Sequence, residues 1–126
     1  MENFTVDKQE RYTLVSVHVE KLDSRVSPAL KSELVLVNSG GEKNIIMNLE
    51  ECRYCDSSGL SAVLIGNRIC NENSGTFVLS GLQESVQKLI SISQLDTVLT
   101  IAPTLDEAIQ LVYLDDLEKD INKGKE

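Results

Sequence analysis

From Tyr12 to Val19 the chain alternates. Tyr12, Leu14, Ser16 and His18 fall on one side of an extended backbone, and Thr13, Val15, Val17 and Val19 fall on the other. A period of two predicts a strand that buries its valine face. A shorter run of the same character, Phe4 to Gln9, precedes it across the polar Glu10-Arg11, which suits a hairpin or a closely spaced strand pair. The period changes after Ser27-Pro28. Leu30, Leu34 and Val37 recur at helical spacing, with a serine able to cap orphan amides, a proline tolerated in the first turn, and a stop at Gly40-Gly41.

Ile45-Ile46-Met47-Asn48-Leu49 is almost unbroken in its apolar character and predicts a strand covered on both faces. A helix over Ser58 to Glu72, a strand over Thr76 to Leu79, a helix over Glu84 to Ser91 with Val86, Leu89 and Ile90 inward, and a strand over Val98 to Ile101 follow in turn. The last helix opens on the capping box Thr104-Leu105-Asp106-Glu107 and carries Leu105, Ala108, Ile109 and Val112 on its apolar side. Strands alternating with helices imply parallel pairing through right-handed crossovers, so the expected class is an α/β sandwich.

The 126 residues suffice for one domain and not for two. The domain is expected to span residues 1–114, followed by a mostly charged tail over 115–126. Leu114 at its border and Leu117 and Ile121 within it keep helical spacing, so the tail reads as a solvated helix extension, a disordered end or a docking segment.

Twelve Lys plus Arg against twenty Asp plus Glu leave a formal charge of −8. Affinity for nucleic acid comes from cations that displace counterions, and this chain is short of them, so no nucleic-acid partner is expected. No apolar run approaches the ~18 residues of a membrane span, and the start lacks a basic segment followed by an apolar one. A cytoplasmic protein without direct membrane insertion is expected, with a monomer as its default state. Three cysteines fit reduced thiols better than a disulfide framework.

Candidate chemistry is sparse. The only histidine, His18, sits in a predicted strand without the context of a catalytic triad, and no glycine-rich nucleotide cradle is present. Cys52-Arg53-Tyr54-Cys55 has the spacing of half a zinc site or of a redox dithiol, but Cys70 and His18 do not form a second closely spaced ligand pair. The cysteines read more simply as small semi-buried residues in a strand-to-helix connection. No metal, cofactor or catalytic residue is therefore expected.

Asp56-Ser57-Ser58-Gly59-Leu60 is the informative stretch. It places hydroxyls at a helix N-terminus, where unpaired amides and the positive end of the dipole favour an oxygen acceptor or a phosphate. Read plainly, Asp56 or Ser57 is an N-cap. The helix behind it spreads Leu60, Ala62, Val63, Leu64, Ile65, Ile69 and Cys70 over more than one stripe, leaving Ser61, Asn67, Arg68 and Asn71 polar. Such a helix is either nearly engulfed or exposes an apolar docking patch.

These residues resemble the hallmark Asp-Ser-Ser/Thr-Gly-Leu of the STAS domain family, and within it the small bacterial anti-sigma factor antagonists. The strand ending Asn48-Leu49, the pair Leu22-Asp23 followed by Ser27-Pro28-Ala29-Leu30, and Lys88-Leu89-Ile90 with Ser93-Gln94-Leu95 are similar to further family blocks in the same order, so the likeness covers about residues 4 to 113. The resemblance implies a STAS-type sandwich, a mixed β-sheet of about five strands with about four helices packed on one face. It also implies a partner switch. The unphosphorylated antagonist binds an anti-sigma factor that is a histidine-kinase-like ATPase and serine kinase, which frees the sigma factor. That kinase inactivates the antagonist by phosphorylating the first serine after the aspartate, here Ser57, and a PP2C-type phosphatase resets it.

Asp23, Asp56, Ser57, Ser58, Gly59 and Leu60 are the residues carried over as partner-binding. An alternative within the family is a structural STAS subunit of a membrane transporter complex of the lipid-trafficking ABC type. The chain departs from the family pattern at Glu20-Lys21, where Gly-Glu is usual, at Cys55 and Ser61, and at Gln94, which replaces a common glycine.

Overall fold

Thr13, Val15 and Val17 are all buried while Leu14 and Ser16 between them are half-buried, so the period of two in the sequence is realised as β2 (Thr13–Val17). The computed structural model describes residues 2–124. β1 (Phe4–Lys8) pairs with β2 antiparallel, from Phe4↔Val17 to Lys8↔Thr13, as the hairpin expectation required. β4 (Ile45–Asn48), β6 (Phe77–Ser80) and β7 (Thr100–Ala102) then add in parallel, giving one mixed five-stranded sheet of order β1-β2-β4-β6-β7. Four helices complete the order of elements: α1 (Ser27–Ser39), α2 (Ser57–Glu72), α3 (Glu84–Ile92) and α4 (Leu105–Gly124).

The core is divided by the sheet. Ile45 and Met47 of β4 belong to the larger cluster, with Leu30 and Leu34 of α1, Ala62 and Val63 of α2, and Val86 and Ile90 of α3. Ile46 points the other way, into a smaller cluster with Val78, Ala102, Ala108 and Val112. Three helices therefore share one face and α4 covers the opposite one, which corrects the expectation of all four on one side. The reason is β4 itself: successive side chains of a strand point to opposite faces, and an Ile-Ile-Met run leaves neither face fit for water.

Two boundaries also differ from the sequence reading. Ser27 is the first helical residue of α1 and not its cap. Its hydroxyl donates to the Asp23 carbonyl at 2.7 Å, which also accepts the Val26 and Ser27 amides, so the chain turns tightly into the helix before Pro28. The stop is as expected, since Gly41 takes a φ of +98° just past the helix end. Downstream, Leu95–Thr97 forms a 3-10 turn, so Val98 is exposed and β7 starts only at Thr100.

α4 runs on without a break to Gly124. Its extension is tied to the sheet. Asp115 accepts from the Thr76 hydroxyl and from Lys119, Asp116 accepts from the buried Asn44 side chain at 3.2 Å, and Lys119 donates to the Ser74 carbonyl at 2.8 Å. Among the described residues, no helix is long and apolar enough to cross a membrane.

Candidate functional site

A small element absent from the sequence reading organises the site. β3 (Lys21–Leu22) and β5 (Tyr54–Cys55) form a separate two-stranded parallel sheet, with Lys21 opposite Tyr54 and Leu22 opposite Cys55. The Glu20 carbonyl accepts the Arg53 and Tyr54 amides at 2.8 and 3.0 Å, and the Leu22 carbonyl accepts the Asp56 amide at 3.2 Å. Asp23 and Asp56 are each the next residue after a paired position, so this register sets the two aspartates beside one another at the starts of α1 and α2.

Asp56 caps α2. Its Oδ1 accepts the Gly59 amide at 3.0 Å and the Ser58 hydroxyl at 2.7 Å, while its backbone stays extended. The Ser58 hydroxyl first, and the Gly59 amide second, hold the Asp56 carboxyl below its ordinary pKa. Asp23 is lowered in the same direction by Arg25. The guanidinium meets the carboxylate through Nε and Nη2, the latter at 2.8 Å, and the Arg25 backbone amide adds a bond at 3.0 Å. Asp23 thus stands at the site already ion-paired, whereas the Asp56 charge is held by neutral donors. Arg25 was not legible as a site residue, although its place two residues after Asp23 is the spacing such a clamp needs.

Ser57 is the first residue of α2 and is exposed, and its hydroxyl has no hydrogen-bond partner among the described residues. Ser58 is turned inward, half-buried, toward Asp56 and Ser27. Gly59 lies beneath. A Cβ there would stand 2.3 Å from the Leu22 carbonyl oxygen and 2.8 Å from the Cys55 sulfur, so only glycine lets α2 start this close to β3. Leu60 is in the core. The stretch therefore brings Asp23, Asp56, Ser57 and Ser58 together at the surface, with Gly59 and Leu60 packing them from below.

α2 is covered on one side and partly open on the other: Leu60, Ala62, Val63, Cys70 and even Asn67 are buried, while Leu64, Ile65 and Ile69 are half-buried. None of the fully exposed large apolar residues belongs to it. The cysteines flank the site without the features of a reactive thiol. Burial raises the Cys52 thiol and pushes that of Cys55 up to about 12, which disfavours thiolate; Cys52 donates to the Tyr54 carbonyl at 3.1 Å. His18 lies just past β2, exposed, between the Thr5 hydroxyl at 2.8 Å and the Glu51 carboxylate.

Comparison with known proteins bears on the family and the fold. A family model described as the STAS domain matches residues 3–108. The chain is 28% identical over 93 residues to the anti-sigma-B factor antagonist of Staphylococcus aureus, covering 74% of this chain and 85% of that protein. Among solved structures it is similar to SpoIIAA, an anti-sigma factor antagonist, in its unphosphorylated form (25% identity, TM-score 0.73, covering 87% of this chain and 96% of that one). The phosphorylated form of the same Bacillus protein matches at 24% identity and a TM-score of 0.68, covering 86% and 98%. A sulfate transporter family protein from Wolinella succinogenes shares the fold at 16% identity and a TM-score of 0.72, covering 82% and 86%.

Proposed function

The chain belongs to the STAS domain family, and on that footing we propose that it is an anti-sigma factor antagonist switched at Ser57. The observation that carries the reading is the pairing of an exposed Ser57 hydroxyl with a rigid surround: Asp56 fixed by Ser58 and Gly59, and Asp23 fixed by Arg25. Unphosphorylated, this surface docks on a cytoplasmic anti-sigma factor that is also a histidine-kinase-like serine kinase, and the sigma factor is released. In the same complex the Ser57 oxygen attacks the γ-phosphorus of the kinase's ATP, the bond to ADP breaks, ADP departs, and the hydroxyl proton passes to a base of the kinase and on to solvent.

The phosphate adds about −1.5 to −2 charge. The first amides of α2 and the helix dipole can hold it locally, worth about 0.3–1 kcal/mol. Against that, Asp56 and Asp23 crowd the same corner with like charge, and a docking surface shaped around a hydroxyl must now desolvate a dianion. Desolvating an unpaired charge costs several kcal/mol, so repulsion at the interface outweighs local stabilisation and the complex dissociates. A separate PP2C-type phosphatase restores the hydroxyl. No fold change is required.

The test is affinity capture from a lysate of the native organism with wild type and Ser57→Asp, in the presence of ADP, followed by phosphorylation of the wild type with the captured ATPase and ATP. Wild type should retain a histidine-kinase-like ATPase that phosphorylates Ser57, and Ser57→Asp should not retain it. Equal retention by both forms would overturn the reading. So would transporter subunits captured without regard to the substitution, which would make the protein a fixed structural module.

A further inference from the structure

Beside Ser57 lies a cluster of cations that an acidic chain has no structural need to keep together. Arg53, Tyr54, Gln83, Glu84, Ser85 and Lys88 line a shallow groove of about 390 Å3 between β5 and the start of α3. The Lys21 ammonium stands over the Tyr54 ring, 5.9 Å from its centroid. Lys21, Arg53 and Lys88 are all exposed, and like Lys31 and Lys43 they have no ion-pair partner among the described residues, whereas Lys8, Arg11, Arg25, Arg68 and Lys119 each do. Tyr54 is 54% exposed. Glu84, the one carboxylate on the groove wall, stands in the first turn of α3, where the helix dipole favours it.

The groove is built in advance of any ligand. The Ser85 hydroxyl donates to the Arg53 carbonyl, Gln83 donates to the Glu50 carbonyl at 2.6 Å, and the Cys52 thiol donates to the Tyr54 carbonyl. Arginine and tyrosine are the residue types that most often anchor protein interfaces. Electrostatic screening decides the sign of the charge that such an interface meets. With a Debye length of ~8 Å at physiological ionic strength, a docked segment feels the charges on the groove wall, Arg53 and Lys88 against Glu84, more than the net charge of −8. Ser57 is three positions along the chain from Tyr54, at most ~11 Å even when fully extended, so one partner surface reaches both.

We propose that this groove is a second docking point for the partner that reads Ser57, and that it takes an acidic peptide segment whose carboxylates meet Arg53 and Lys88 while its chain rests against Tyr54. The class of the partner rests on the reading above; the charge preference of the groove does not, and is measured without any kinase. Residues outside the Asp56–Leu60 stretch then set partner choice by charge, while Ser57 sets whether docking occurs.

The experiment is an NMR titration of the isotope-labelled full chain with hexaglutamate, with hexaglutamine and a short oligothymidylate as comparison probes. Hexaglutamate at millimolar concentration should shift the amides of Arg53, Tyr54, Ser85 and Lys88. The effect should be lost at high salt and weakened by about tenfold or more in the double variant Arg53→Glu, Lys88→Glu, whose fold the same spectra report. No shift at those amides, an equal response at Lys31 and Lys43, or tighter binding of oligothymidylate would overturn the proposal. Failure here with successful capture of the kinase removes only the groove; a charge-selective groove with failed capture removes only the kinase.

Discussion

The hydroxyls of Ser27 and Ser58 lie 3.4 Å apart, and neither has a proton for the other. A hydroxyl donates once. Ser27 gives its proton to the Asp23 carbonyl at 2.7 Å, and Ser58 gives its own to Asp56 Oδ1, also at 2.7 Å. The two serines therefore meet back to back, each tying the first turn of its helix to the aspartate that precedes it. The contact lies where the β3–β5 register brings the starts of α1 and α2 together.

Replacing Ser58 by alanine removes the largest of the influences that lower the Asp56 carboxyl. Asp56 titrates lower in the folded protein than in the unfolded chain. Its contribution to stability is therefore present above the unfolded carboxylate range, about 3.9, and is lost as pH falls through the folded value. In Ser58→Ala the Asp56 pKa should rise toward the ordinary value and the acid-dependent part of stability should shrink. A carboxyl-carbon NMR titration of both proteins measures this, and an unchanged Asp56 titration would remove Ser58 from its role.

Gly59→Ala sets two effects against each other. Alanine favours the helix over glycine by up to ~1 kcal/mol, while forcing a methyl to within 2.3 Å of the Leu22 carbonyl overpacks the corner at ~1–3 kcal/mol. That carbonyl also accepts the Asp56 amide, so any shift that relieves the clash loosens the β3–β5 register. The variant should lose about 1–2 kcal/mol in urea unfolding and, on the proposed function, present Ser57 less well to an anti-sigma factor kinase. Wild-type stability with unimpaired capture would show that the corner has room.

Much of this was legible from the residues. The valine face of β2, the hairpin, and the burial of β4 on both sides all follow from periodicity, but the expectation of four helices on one face left the second side of β4 without the cover that α4 supplies. The Asp-Ser-Ser-Gly-Leu stretch marked the helix start, where Asp56 rather than Ser57 proves to be the cap. β3 and β5 were not legible, because two residues each are too few to show a period and only their mutual register defines them. The Arg25 clamp on Asp23 and the cations around Tyr54 escaped for a related reason: charge in a loop reads as solvated until the fold shows what it faces.

Gln94 takes a φ of +61°, in the left-handed region, at the position where the family pattern commonly has glycine. A side chain there costs roughly 1–2 kcal/mol, of which glycine returns part through its greater freedom in the unfolded chain. The bonds at this turn are made by backbone atoms: the Gln94 amide donates to Ser91 and its carbonyl accepts the Thr97 hydroxyl at 2.9 Å. Gln94→Gly keeps them both and should raise stability by up to ~1 kcal/mol, whereas Gln94→Val should lower it. Denaturant midpoints of the two variants decide the sign.

Asn44 holds the far end of the molecule together through one buried side chain. Only 3% exposed, it donates to the Arg11 carbonyl at 2.9 Å and to Asp116 at 3.2 Å, and accepts the Thr76 amide at 2.9 Å. Those bonds join the β1–β2 turn, the entries to β4 and β6, and the extension of α4. Asn44→Ala leaves the Arg11 carbonyl and the Thr76 amide without these partners, at a cost of about 2–3 kcal/mol, since an unmade buried bond costs more than a formed one contributes. Asn44→Asp should be worse: the carboxylate still accepts from Thr76, but it cannot donate to Arg11 and it faces the charge of Asp116. In Asn44→Ala, Asp116 retains Arg11 only at 3.8 Å, so hydrogen exchange should quicken in the last turns of α4 while the amides around Ser57 keep their protection. Protection lost equally at both ends would mean that the extension and the Ser57 site open as one unit, and that Asn44 is not a local pin.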